Sequence, residues 1–255
     1  MKKLIRGLLD FQLKGRPAYR EVFARLANGQ NPDCLFISCS DSRLVPNLLV
    51  STDPGDLFVV RNVGNLVPPS DAHGVSMGDQ SEAAALEFGL ANLEVEDLVI
   101  CGHSSCGAMK AVLGGGEVAG APNLSAWLAH GKQSLTTLKA GTNVGEGLPE
   151  YDKLSQLNVL QQLEHVSSYP LVKERVAAGK LRLHGWWFDI ASAQVHVWRP
   201  SHGRFIPMTE LVGEALLREL GADPLYHPDE GRAANQEGTG GEGVARIHSV
   251  AASGH

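Results

Sequence analysis

Three short apolar runs set what this chain can fold into. "DCLFIS" (33–38), "GDLFVVRN" (55–62) and "EDLVICG" (96–102) each read as a buried strand. Between the last two, "SEAAALEFGLANLEV" (81–95) is rich in alanine and leucine at helical spacing. Another helix is expected from about Ala108 to the glycines Gly114–Gly116, and two more over 123–140 and 152–168, separated by a Gly/Pro-rich loop. After these, "KLRLHGWWFDI" and "AQVHVW" alternate in the manner of a β-hairpin. Strand–helix–strand alternation predicts an α/β fold with a mostly parallel central sheet flanked by helices on both faces.

The ends differ from this middle. "MKKLIRGLLDFQLKGR" resembles a signal peptide superficially, but Arg6 and Asp10 interrupt its apolar stretch and no small-residue cleavage site follows. It reads instead as a short amphipathic helix with Leu4, Ile5, Leu8 and Leu9 near one face, followed by a second helix over 16–28 that Gly29 ends. Together residues 1–28 form a helical arm whose apolar face is expected to lie on a neighbouring subunit. From about Gly221 the chain turns to Gly, Ala and Ser with few large apolar residues, which predicts a flexible tail over 221–255 behind a single domain over 1–220. A net charge of -6 carries no basic stripe, so nucleic acid is not an expected partner. No apolar run reaches the roughly 20 residues of a membrane span. Four cysteines are too few to staple 255 residues, which points to a reducing cytoplasm.

Ligands of open parallel sheets sit outside the carboxyl ends of the strands. Cys39 follows the first apolar run, and His103 and Cys106, in "CGHSSCG", follow the third. Each alone reads better as structure: a buried strand-end thiol, a capping histidine, a small residue at a helix start. Together they deliver two thiols and an imidazole to one sheet edge. That is a zinc donor set, and three protein ligands leave a fourth position for water. Cys34 and Cys101 lie inside their strands without polar company and read as core. In "CSDSR", Asp41 stands two residues from the first thiol and Arg43 two residues beyond. A carboxylate beside a thiolate tends to keep its proton; an arginine fork keeps it ionised and oriented.

"CSDSR", then "GDLFVVRNVGNLVPP", then "VICGHSSCGAMKA" resemble the β-class carbonic anhydrases over roughly residues 16–200. The resemblance implies a zinc enzyme that interconverts carbon dioxide and bicarbonate, with Cys39, His103 and Cys106 as metal ligands and Asp41–Arg43 as the dyad that orients the nucleophile. It also implies a protein built from homodimers, with each pocket completed by the partner. Gln30 matches the pocket glutamine of the plant-like subgroup, and Phe58 and Val63 match its apolar wall. Phe88 stands where that subgroup carries a tyrosine. The subgroup with an inhibitory bicarbonate site carries a tryptophan where this chain has Phe36, so no such site is expected. The opening "MKKLIRGLLDFQ" and "LHGWWFDI" most resemble cyanobacterial, carboxysome-type members, which adds a carboxysome or bicarbonate-transport assembly as an expected partner. The loop over 70–80 is longer than the resemblance leads one to expect.

Several roles follow as expectations. Gln30 would donate to a substrate oxygen, and the Gly107 amide would face developing negative charge at a helix start. Asp41 would become a fourth metal ligand in an inactive state if it left Arg43. Two thiolates cancel the charge of the metal, so activity is expected to rise with alkaline pH. The sequence singles out no proton shuttle; His73 and the other histidines are candidates by residue type alone. Two rivals share the site: hydrolysis of carbon disulfide or carbonyl sulfide, and a scaffold component with structural zinc.

Overall fold

A computed structural model describes residues 1–221, so all but the first residue of the tail predicted over 221–255 lies outside the described residues. The chain has two compact units, one built on Met1–Asn31 and one beginning at Pro32. In the first, α1 (Lys2–Asp10), a π-type turn (Phe11–Gly15) and α2 (Arg16–Leu26) follow one another with helical dihedrals at both junctions. The two helices read from sequence are thus one helical run. The wide turn precedes Pro17, which has no N–H to offer the turn before it. Leu4, Ile5, Leu8 and Leu9 are all exposed.

The second unit holds a six-stranded sheet: β1 (Cys34–Cys39), β2 (Leu57–Asn62), β3 (Asp97–His103), β4 (Arg182–Asp189), β5 (Gln194–Arg199) and β6 (Arg204–Pro207). The order is β2-β1-β3-β4-β5-β6, with the first four strands parallel and the last two antiparallel. Around it stand α3 (Pro46–Leu49), α4 (Ser81–Glu87), α5 (Gly107–Leu113), α6 (Pro122–Leu128), α7 (Lys132–Lys139), α8 (Glu150–Val166), α9 (Pro170–Ala177) and α10 (Glu210–Glu219). The mostly parallel α/β architecture is the one the alternation predicts.

The differences are local. The helix expected over 123–140 is broken by a tighter turn at Ala129–Gly131. The helix expected over 81–95 leaves α-geometry at Phe88 and ends as a π-type turn at Asn92. Helices α9 and α10 and strand β6 carry no sequence prediction. Their burial explains why: α9 buries only Val172, α10 buries nothing, and β6 is four residues long.

Strands β1 and β3 are buried on both faces, and their side chains alternate between two cores. Leu35, Ile37, Leu98 and Ile100 pack with Leu86 of α4, Val159 of α8 and Val172 of α9. Phe36, Val99 and Cys101 pack with Met109 and Val112 of α5, Leu128 of α6 and Leu135 of α7. Full burial of each large apolar side chain contributes about 1.5–3 kcal/mol. Because both faces are covered, the carboxyl edge of the sheet is where polar chemistry has room to sit.

Candidate active site

Cys39 is the last residue of β1 and His103 the last of β3, so neighbouring parallel strands end side by side. Three residues on, Cys106 caps α5 in an extended conformation, φ −64° and ψ 123°. The donor atoms of Cys39, His103 and Cys106 lie within 4.8 Å of one another, and all three residues are buried. His103 Nδ1 is 2.9 Å from the Ser104 carbonyl, which can only accept. The proton is therefore on Nδ1 and the lone pair on Nε2. That Nε2 is buried and has no hydrogen-bond partner. A buried lone pair facing two sulfurs is the arrangement that a soft divalent cation completes. The Gly64 N–H also points at Cys39 Sγ, at 3.4 Å. The adjoining Cys106 thiol holds Cys39 far below the usual thiol range and is itself pushed up by Cys39. Burial drives Cys34 the other way, up to about 12, and raises Cys101 too. Of the four, only Cys39 is poised to be a thiolate, with Cys106 as the thiol that stabilises it.

Asp41 is gripped by Arg43 through three bonds: Nε to Oδ1 at 2.9 Å, Nη2 to Oδ2 at 2.7 Å, and the backbone N–H to Oδ1 at 3.0 Å. The Arg43 fork holds the carboxyl well below the usual carboxylate range. Asp41 Oδ2 is 3.8 Å from His103 Nε2, so the carboxylate borders the donor cluster while remaining paired with Arg43.

Arg61 of β2 fixes the turn that carries this pair. Its guanidinium donates to the carbonyls of Cys39 at 3.1 and 3.2 Å, Asp41 at 2.7 Å and Leu44 at 2.7 Å. Sequence reading passed over Arg61; its one signal is a lone cation inside the apolar run "FVVRN".

The turn after β2 is bound as tightly. Asn62 closes it through Leu66, donating to its carbonyl and accepting from its amide, each at 2.8 Å. Trp127 Nε1 donates to the Val63 carbonyl at 2.8 Å, and Asn158 Nδ2 to the Gly64 carbonyl at 3.0 Å. Gly64 has φ +85°, and a Cβ there would meet Ala108 Cβ at 2.9 Å, so only glycine brings its amide to Cys39 Sγ. Helix α8 supports both turns with buried polar side chains. Ser155 donates to the His103 carbonyl at 2.8 Å, and Gln162 accepts from the Val67 amide at 2.8 Å. These anchors also escaped the sequence reading, because a polar stripe on a helix looks like a solvated face.

The remaining predicted residues fall as follows. Val63 belongs to the turn just described, with its side chain exposed. Phe58 and Phe88 pair with each other, ring centroids 5.7 Å apart. Gly107 opens α5 with free space around it. Phe36 is buried edge-on to Trp186 at 5.8 Å. Gln30 is exposed in the N-terminal unit. His73 is exposed on the 70–80 loop, its amide bound to Asp71 Oδ1 at 2.8 Å.

Fold and donor set together define an α/β protein with two cysteines and one histidine able to hold a metal ion at the carboxyl edge of a parallel sheet. Comparison with known proteins narrows this. The family model for carbonic anhydrase matches residues 34–195. A carbonic anhydrase of Pseudomonas aeruginosa is 38% identical over 224 residues, covering 88% of this chain and 98% of that protein. The solved β-carbonic anhydrase CcaA superposes with a TM-score of 0.75 at 35% identity, covering 82% of this chain and 92% of that one. A tetrameric β-carbonic anhydrase of Sordaria macrospora gives a TM-score of 0.65 at 28% identity, covering 77% and 97%. The chain belongs to the carbonic anhydrase family, in its β class.

Proposed function

We propose that Cys39, His103 and Cys106 hold the zinc of a carbonic anhydrase and that Asp41, kept ionised by Arg43, orients the nucleophile in reversible hydration of carbon dioxide. Held there by Cys39, His103 and Cys106, zinc would supply an acidified water as the nucleophile, less acidic beside two sulfurs than among neutral histidines, so turnover would rise toward alkaline pH. The rest falls to this chain. Asp41 accepts a hydrogen bond from the attacking group and fixes its lone pair, and Arg43 prevents the carboxylate from taking the proton. Gln30, Phe58, Val63 and Phe88 are proposed as substrate contacts, and the Gly107 amide as a donor to developing negative charge. The single observation that carries the reading is the buried, unpartnered His103 Nε2 facing two sulfurs beside a carboxylate already committed to an arginine.

The deciding experiment is metal analysis with a hydration assay on the Cys106→Ser variant. Loss of about one zinc per chain together with turnover supports the reading; full activity without zinc defeats it. Assays with carbon disulfide and carbonyl sulfide separate the other linear substrates. We also propose a homo-oligomer, supported by the exposed leucines of the arm. A carboxysome or transport-assembly partner rests on the sequence likeness of residues 1–12 and 183–190, and a cytoplasmic location on the four cysteines, too few for a disulfide framework. Among the described residues, no helix is long and apolar enough to cross a membrane.

A further inference from the structure

Between His103 and Cys106 the chain makes a four-residue turn, and Ser105 sits in it with φ +55°, a left-handed conformation that non-glycine residues rarely hold. Something must keep it there. Ser104 is tied to the end of β4: its amide donates to the Phe188 carbonyl at 2.9 Å, and its hydroxyl accepts from the Ile190 amide at 2.9 Å. Ser105 is held from the opposite side. Its amide donates to Asp152 Oδ1 at 2.6 Å, and its carbonyl accepts from Arg43 Nη2 at 3.4 Å. Asp152 lies in the first turn of α8 and is 6% exposed. Burial pushes its carboxyl up, and the Ser105 amide pulls it back. A buried acid of this kind needs a reason to be where it is, since an apolar residue would pack there without desolvating a charge.

We propose that Asp152 is a positioning residue of the metal centre: by fixing the Ser105 backbone it sets the spacing of His103 and Cys106 and presents the Ser105 carbonyl that steadies Arg43. The inference rests on the zinc reading above. Asp152 touches neither the donor atoms nor Asp41. It acts through one backbone residue that joins the donor turn on one side to the dyad arginine on the other. Ligands delivered by a short turn keep their geometry only if the turn has one conformation, and supporting groups one shell out commonly change metal affinity tenfold or more.

The test uses the full chain, loaded with zinc or cobalt. Asp152→Ala removes the acceptor, and zinc transfer to a chromogenic chelator should accelerate about tenfold. The visible bands of the cobalt form should shift as the donor geometry relaxes, and kcat should fall more than KM rises. Asp152→Asn keeps an oxygen acceptor without its charge, so release should quicken only about threefold, between wild type and alanine. A mere helix-start role would lower the melting temperature while leaving release and the cobalt bands at wild-type values, and that result overturns the proposal. If the alanine variant fails to fold, the asparagine variant decides by the same readouts: wild-type release and bands overturn the proposal. Failure of the parent reading looks different, since the wild-type chain itself would then hold no zinc or hydrate no carbon dioxide.

Discussion

At the scale of single residues, the site separates groups that look alike in sequence. Four cysteines lie near strands, yet only Cys39 and Cys106 stand at the sheet edge, and there the Cys106 thiol and the Gly64 amide favour the thiolate of Cys39. Asp41 would be an ordinary acid without Arg43. With the fork in place it stays ionised below the pH at which free carboxyls titrate, so acid loss of activity is not expected to come from its protonation. Arg43→Ala frees the carboxylate to rotate and to return toward a pKa of about 4. We expect kcat to drop by about two orders of magnitude, in the range of a misplaced proton-handling group. Stopped-flow hydration at pH 8 measures this; a variant within threefold of wild type would remove Asp41–Arg43 from the mechanism. The pairing of Asp41 and Arg43 was legible because charges at a strand end are unusual. Arg61 was not: its partners are three carbonyls, and backbone acceptors leave no mark in a sequence.

At the scale of elements, β3 is the hub. It pairs with β1 on one side and β4 on the other, and its two ends carry different devices. The far end from the site is clamped to β4 by Arg182, whose Nε and Nη2 reach Asp97 Oδ1 and Oδ2 at 2.8 and 2.7 Å, with His184 Nε2 2.7 Å from Oδ1. Burial raises the Asp97 pKa, but His184 and Arg182 outweigh it and hold the group at about 2. A carboxylate depressed in the folded state stabilises fully above its unfolded pKa of about 4, and that contribution fades as pH falls toward 2. Because Arg182 is 42% exposed, solvent screens the pair. Asp97→Asn is therefore expected to cost only about 1 kcal/mol at pH 7. In urea titrations the wild-type and variant curves should converge near pH 2; a constant gap across pH would show the charge is irrelevant. One residue before His103, Gly102 lets α8 lie against the strand, since a Cβ would come 2.8 Å from Val159 Cγ2 and 3.2 Å from Ser155 Oγ. Valine is stiff at χ1 and cannot step aside. Gly102→Ala is expected to destabilise by about 1–3 kcal/mol and to loosen the Ser155 bond to the His103 carbonyl. A variant as stable as wild type in urea would show that α8 has slack. Strand β3 was readable from its apolar run, whereas the inward polar side of α8 was not. A helix buried on both its apolar and its polar faces shows little periodicity, and which face meets solvent depends on partners far away in the chain.

At the scale of the whole molecule, the two units present opposite surfaces. Residues 1–31 hold seven lysines and arginines against two acids, a net +5, whereas residues 32–221 hold thirteen against twenty-one, a net -8. The arm also leaves Leu4 65%, Leu8 69% and Leu13 74% exposed, together with Phe11 and Phe23. A row of this kind on a helical run is more apolar surface than an isolated element keeps in water, and burying each leucine is worth about 1.5–3 kcal/mol. A second copy offers both what the apolar face requires and an acidic body for the basic face, which is why homo-oligomerisation is the reading proposed. The sequence disclosed the amphipathic spacing but not the continuity of the two helices, because Pro17 looks like a helix start when read without its neighbours. The test replaces apolar contact by charge while leaving helix propensity nearly unchanged: Leu4→Glu with Leu8→Glu. Light scattering at micromolar concentration should show a smaller particle than wild type, and circular dichroism an unchanged helix content. Raising the salt concentration should weaken the wild-type assembly only partly, since screening removes the charge attraction but leaves the apolar burial. If the doubly substituted chain keeps the wild-type mass, the arm does not hold copies together, and its exposed leucines must serve some other contact.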